Sequence, residues 1–132
     1  MRNLCRAVFW VCLAAMVVCP LAYAQRDTQV DEGGPYGRAR ALIARVQADL
    51  DRAQQMAPVA GKQKERYENA HRHLSQFDDK LSQGEFDKGK LDQAIDDVNS
   101  VVKNNVLSSQ SRDKLRDDLD DLRAMRNARG KA

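Results

Sequence analysis

Between Tyr36 and Met125, apolar and small residues recur at alternating steps of three and four, the spacing of one face of an α-helix. The first run is Tyr36, Ala39, Ile43, Val46, Leu50, Ala53 and Ala57. Pro58 lacks a backbone donor and disfavours helical geometry at the residue before it, so this helix is predicted to stop near Met56, with Gly61 in the turn. The rhythm resumes at Tyr67, Ala70, Leu74, Phe77 and Leu81, which predicts a second helix from about Lys62 to Gln83. Gly84 then stands where a left-handed cap is wanted. Asp87 is placed to cap a third helix, and Phe86 and Leu91 have the spacing of a hydrophobic staple across that cap. Leu91, Ile95, Val98 and Val102 form its stripe, and Asn104-Asn105 ends it. Ser108 is a cap for a fourth helix lined by Leu115, Leu119, Leu122 and Met125, which closes with Arg123, Arg126 and Arg129 in its last turns and Gly130 just beyond.

These four elements predict an all-α fold. No strand pattern competes, and the glycines fall at predicted ends, in first turns or in linkers. Helices of similar length joined by short turns become antiparallel neighbours, so the expected architecture is an up-down bundle or two helical hairpins. The stripes are narrow, nearer a coiled-coil seam than the face of a globular helix, which admits an elongated or dimeric assembly and a left-handed supercoil.

The first 24 residues follow a different rule. Arg2 and Arg6 precede an apolar run from Ala7 to Cys19, then Pro20 and the small-x-small pattern Ala22-Tyr23-Ala24. That is the layout of a cleaved export signal, with cleavage expected between Ala24 and Gln25 and a periplasmic or secreted destination. The run is shorter than the ~20 residues that span a bilayer core. No transmembrane segment is expected after cleavage. Residues 25–35 are polar and glycine-terminated and read as a flexible lead-in, and residues 36–132 as a single helical domain.

Removing the leader changes the composition. All three cysteines and Trp10 belong to it, so the remaining chain has no disulfide and only Tyr36, Tyr67, Phe77 and Phe86 as aromatics. Stability must come from helix packing. Arg2 and Arg6 leave as well, so 20 basic residues face 19 acidic ones for a formal charge of +1. The pI of 8.9 therefore describes the precursor better than its product.

Candidate chemistry is sparse. Glu68 and His71 make a Glu-x-x-His unit, but di-iron bundles use two of them with further glutamates, and the other glutamates beyond the leader are only Glu32, Glu65 and Glu85. His73 points to a different face from His71. Haem attachment would need cysteines the exported chain lacks, and Met56 and His71 are poorly placed to converge on one iron. Asp117, Asp118, Asp120 and Asp121 are expected opposite Asp92, Asp96 and Asp97 if the last two helices pair. That array reads mainly as a solvated acidic face, with Asp92, Asp96, Asp117 and Asp121 the positions where a divalent cation would be sought. With no serine elbow, phosphate loop or His-Glu-x-x-His, the expectation is no enzyme, no cofactor and no metal centre. Arg38, Arg45 and Arg52 repeat every seven residues and are expected on the side of the first helix away from its seam. With Arg123, Arg126, Arg129 and Lys131 they are candidates for contact with an anionic envelope polymer or lipid. Aromatic stacking residues are missing there, so nucleic acid is a poor fit.

The stretch FDKGKLDQAIDDV followed by RDKLRDDLDDLRAMR, within Phe86 to Arg126, resembles one found in small exported helical proteins of bacteria of unassigned function. The resemblance implies fold and compartment and no activity. Leu107-Ser108-Ser109-Gln110 is similar to the Leu-Thr-x-x-Gln motif of helical periplasmic stress chaperones, with serine for threonine and glutamine one place early. It implies a chaperone-like alternative. The leading expectation is a non-enzymatic exported protein that acts through protein–protein contacts or self-association. The second is a polyanion or envelope-surface binder.

Overall fold

The computed structural model describes residues 34–130; the leader, its Ala24–Gln25 junction and Lys131 lie outside them. Four helices follow one another: α1 (Gly37–Met56), α2 (Lys62–Ser82), α3 (Lys88–Asn104) and α4 (Ser109–Ala128). The expected caps form. Asp87 accepts from the amide of Lys90 at 3.0 Å, and the Ser108 hydroxyl accepts from the amide of Ser111 at 3.1 Å. Gly84 takes a left-handed conformation (φ 79°) after α2, and the Glu85 amide returns to the Lys80 carbonyl at 2.9 Å to close that end.

Each helix packs on its neighbours in sequence, and α1 closes on α4. Among the described residues no close backbone approach joins α1 to α3 or α2 to α4, so the cross-section is a square. Side-chain pairs give the sense of each seam: from α1 to α2, Arg40 meets Asp78, Gln47 meets Ser75 and Asp51 meets His71, so one number rises as the other falls. From α1 to α4, Arg45 meets Asp118 and Met56 meets Ser111. The helices are antiparallel, as short turns require.

All four stripes are consumed inside this square. Ile43, Val46 and Leu50 from α1 join Tyr67, Leu74 and Phe77 from α2, Leu91 and Val98 from α3, and Leu115 and Leu122 from α4, each at most 1% exposed. Alanines 39, 53, 70 and 94 are buried among them, where small side chains let backbones approach. The narrow stripes thus cover one another within a single copy of the chain.

The two ends are closed differently. At the end holding Gly34 and Gly130, Phe86 packs edge-on to Phe77 with ring centroids 5.5 Å apart and lies 6.1 Å from Tyr36. Gly130 completes this cluster: it sits at φ 71°, and an added methyl would fall 3.0 Å from both Tyr36 and Phe86. At the other end Asn105, 4% exposed, donates to the Gln63 carbonyl and accepts from Arg66, each at 3.1 Å, while Gln63 Oε1 accepts from the Val106 amide at 3.0 Å. Hydrogen bonds, not rings, hold those two turns together.

Truncating Phe77 to alanine removes a fully buried ring and is expected to cost about 3–5 kcal/mol. Loss of the Asp87 cap in Asp87→Ala should cost about 1 kcal/mol, and the exposed Val106→Ala should stay within about 0.5 kcal/mol of the parent. Urea unfolding followed by helical circular dichroism checks all three. A Phe77→Ala loss no larger than that of Val106→Ala would refute the packing described.

Candidate contact surface

The six arginines singled out by the heptad pattern and the last helical turns do not form one face. Arg45 reaches α4 rather than solvent: its Nε donates to Asp118 Oδ1 at 3.0 Å and its Nη2 to Asp121 Oδ2 at 2.6 Å. Arg52 folds onto Asp49 of its own helix at 2.7 Å, Arg123 onto Asp120 at 3.0 Å, and Arg126 crosses to Asp92 of α3 at 3.2 Å. Arg38 is exposed beside a cleft of about 240 Å³ between α1 and α4, and Arg129 is exposed in the left-handed turn after α4. Positions 38, 45 and 52 each precede a buried seam residue, Ala39, Val46 and Ala53. They flank a packed interface and are not on the side away from it.

The acidic residues are dispersed for the same reason. Asp118 and Asp121 turn toward α1, Asp97 pairs with His73 of α2, and Asp92 alone of the α3 acids meets α4, through Arg126 and with Lys88 at 2.7 Å on its own helix. Asp96 and Asp117 are exposed. Among the described residues no three histidine, cysteine or acidic side chains are grouped to hold a metal ion. Glu68 lies 3.5 Å from Lys64, and Arg72 donates to Asn69, so the Glu68–Arg72 pair suggested by i,i+4 spacing is not made. His71 Nε2 stands 3.1 Å from Asp51 without the alignment of a hydrogen bond.

Asp118 is the most unusual of these groups. Its side chain is 3% exposed, and Oδ2 has no hydrogen-bond partner. Burial pushes this carboxyl up, Arg45 pulls it back, and Asp49 nearby pushes it up further. Asp92 moves the opposite way, drawn down first by the hydrogen bond from Lys88 and then by Arg126.

One basic face does exist, joining Arg123 to cations that the sequence pattern did not single out. A cleft of about 470 Å³ between α3 and α4 is lined by Lys103, Arg112, Arg116 and Arg123, with Asp120 its single acid. Its floor is apolar, from Val102 and Leu119. The readable signal was the spacing of Arg112, Arg116 and Arg123, which recur along one face of α4, with Lys103 brought beside them by the short turn. This cleft runs toward the end of the bundle where the α1–α2 and α3–α4 turns lie. There Met56 is 58% and Val106 61% exposed, the large apolar side chains left outside among the described residues. No helix of the described residues is long and apolar enough to cross a membrane.

The two carboxyls give opposite pH signatures. Asp118 has a raised folded-state pKa, so its stabilising contribution is present below the ordinary aspartate value and lost as pH rises through the raised one. Asp92 has a lowered one, so its contribution is present above the ordinary value and lost as pH falls through the lowered one. Between pH about 7 and about 4 the parent should therefore gain stability relative to Asp118→Asn, while its advantage over Asp92→Asn should shrink only at the acid end. Urea midpoints across that range decide it; a parent-minus-Asp118→Asn difference that shrinks as pH is lowered contradicts the burial assigned to Asp118.

No protein-family model, curated protein or solved structure matches the chain, so its role has to be inferred from this surface.

Proposed function

We propose that this chain is a non-enzymatic exported protein that acts by surface contact, and that it engages its partner with the end of the bundle bearing Met56 and Val106. One observation carries the reading. The four apolar stripes are spent inside the bundle, and the large apolar side chains left exposed among the described residues both stand at that end. Apolar side chains left exposed at one end of an otherwise charged surface support a contact there. A second copy of the chain is not needed to cover the stripes, which weakens the case for obligate self-association that the narrow seams raised. Envelope-surface binding remains the reading for the basic side chains, supported by the cleft of Lys103, Arg112, Arg116 and Arg123 rather than by Arg38, Arg45 and Arg52. The leader's pattern supports a periplasmic or secreted location.

The exported form, beginning at Gln25 on this reading, has no cysteine, so a single labelled cysteine is clean. An environment-sensitive dye on Met56→Cys should shift to the blue when membrane and soluble envelope fractions are added. The same dye on Ala48→Cys, exposed midway along α1, should not. A dye at position 56 that stays water-like in every fraction would sink end-on contact.

A further inference from the structure

We infer that the end of the bundle formed by the α1–α2 and α3–α4 turns docks on an anionic lipid bilayer, with Val106 and Met56 entering the headgroup layer and Lys103, Arg112 and the cleft behind them meeting lipid phosphates. The inference rests on the contact reading above and names its partner.

The tip has the two-part chemistry that an interfacial site needs. Its turns, residues 57–61 and 105–108, contain no charged side chain, so nothing ionised has to be driven into the interface first. Met56 and Val106 project from them at 58% and 61% exposure. Behind this neutral rim, Lys62, Lys103 and Arg112 stand in the helix turns nearest the tip and make no ion pair among the described residues. Arg116 and Arg123 continue the row along α4, Arg116 loosely paired with Asp113 at 3.7 Å and Arg123 hydrogen-bonded to Asp120 at 3.0 Å. Long basic side chains whose stems lie on apolar surface place their heads at phosphate level while neighbouring apolar groups go deeper.

The opposite end lacks this combination. It has exposed cations in Arg38 and Arg129, but its Phe86 and Tyr36 are packed together, so among the described residues it offers no exposed large apolar side chain to enter the headgroup layer. A protein partner fits the tip less well than lipid does. Two aliphatic side chains near Lys62, Lys103 and Arg112, with Glu65 and Asp113 the exposed acids at that end and no exposed aromatic among the described residues, are far from the roughly 800 Å² per side of a specific protein interface, whose core is poor in lysine. A bilayer asks for no matching shape. Binding of this kind is weak, reversible and salt-sensitive.

Flotation of the exported protein with phosphatidylglycerol-rich vesicles, against pure phosphatidylcholine vesicles, tests this directly. The expected result is binding to the anionic vesicles at low ionic strength, little to the neutral ones, and release by salt. Met56→Ser with Val106→Ser, and separately Lys103→Glu with Arg112→Glu, should each weaken it about tenfold. Arg38→Glu with Arg72→Glu, an equal change of charge at two exposed positions away from the tip, should keep most of it. Unchanged circular dichroism melting shows that each variant is folded. Equal loss in the Arg38/Arg72 pair, or undiminished binding of the serine pair, overturns end-on docking in favour of diffuse attraction. A dye at position 56 that shifts with envelope fractions but not with protein-free anionic vesicles overturns the lipid assignment and leaves the contact reading standing. A dye that shifts with neither removes both.

Discussion

Closure of α1 against α4 is the constraint on which the other features depend. Every other seam joins helices linked by a short turn, so its partners are held close before packing begins. The α1–α4 seam has no such tether, and its polar contacts lie 55 to 76 residues apart along the chain. Apolar burial alone does not fix its register, because narrow stripes of Ala, Val and Leu tolerate sliding. Arg45 does. It must sit where it can serve Asp118, whose carboxylate is taken almost wholly out of water, and also Asp121 one turn face away. Slipping α4 by a turn would leave a buried charge without its cation, which costs far more than the pair itself contributes. Registry is the best-supported use of such a pair, and the order of the square follows from it.

Polar groups repeat that role more weakly on the remaining seams. Arg40 forms a two-pronged pair with Asp78 between α1 and α2, His73 meets Asp97 between α2 and α3, and Arg126 meets Asp92 between α3 and α4. Each is partly exposed, so each contributes a few tenths of a kcal/mol to about 1 kcal/mol. Their value lies in discrimination: in a chain with 22 basic and 19 acidic residues, much of the charge goes into specifying neighbours. Arg45 and Arg52 already have carboxylate partners: releasing Arg45 would leave Asp118 buried without its cation, whereas Asp49 would keep Lys114 at 3.8 Å.

Helix ends and core were legible in the sequence because they depend on local rules. Pro58, Gly84, Asp87 and Ser108 act through their own backbone or their nearest amides, and the three-four rhythm of Leu74, Phe77 and Leu81 needs no knowledge of the partner helix. The charged residues were not legible in the same way. A heptad says which positions flank a seam, but whether the neighbour on a given flank is α2 or α4 depends on the direction in which the bundle turns, and no residue of α1 encodes that. Hence Arg45 looked free, and Asp118 looked like part of an acidic face shared with Asp92, Asp96 and Asp97. The basic cleft was missed for a related reason: Lys103 and Arg112 lie on opposite sides of a turn, so their proximity is tertiary even though the sequence gap is short.

The unequal ends of the bundle are what turn a stable fold into a directed one. An aromatic closure uses apolar surface to seal an end, and Phe86, Tyr36 and Gly130 do this so tightly that an added methyl would fall 3.0 Å from both rings, and they would have to shift. The hydrogen-bonded closure around Asn105, Gln63 and Arg66, with Val59 and Leu107 packed against the core beside it, leaves Val106 out of the packing. Val106 contributes only its amide to that network, so its isopropyl group is left facing water with no part in the fold. Polar residues are favoured in such turns and would make the same backbone bond. Exposed valine and methionine at one end, beside cations that have no carboxylate to neutralise them, are therefore features that packing does not demand, and a contact made outside the bundle gives them a physical reason.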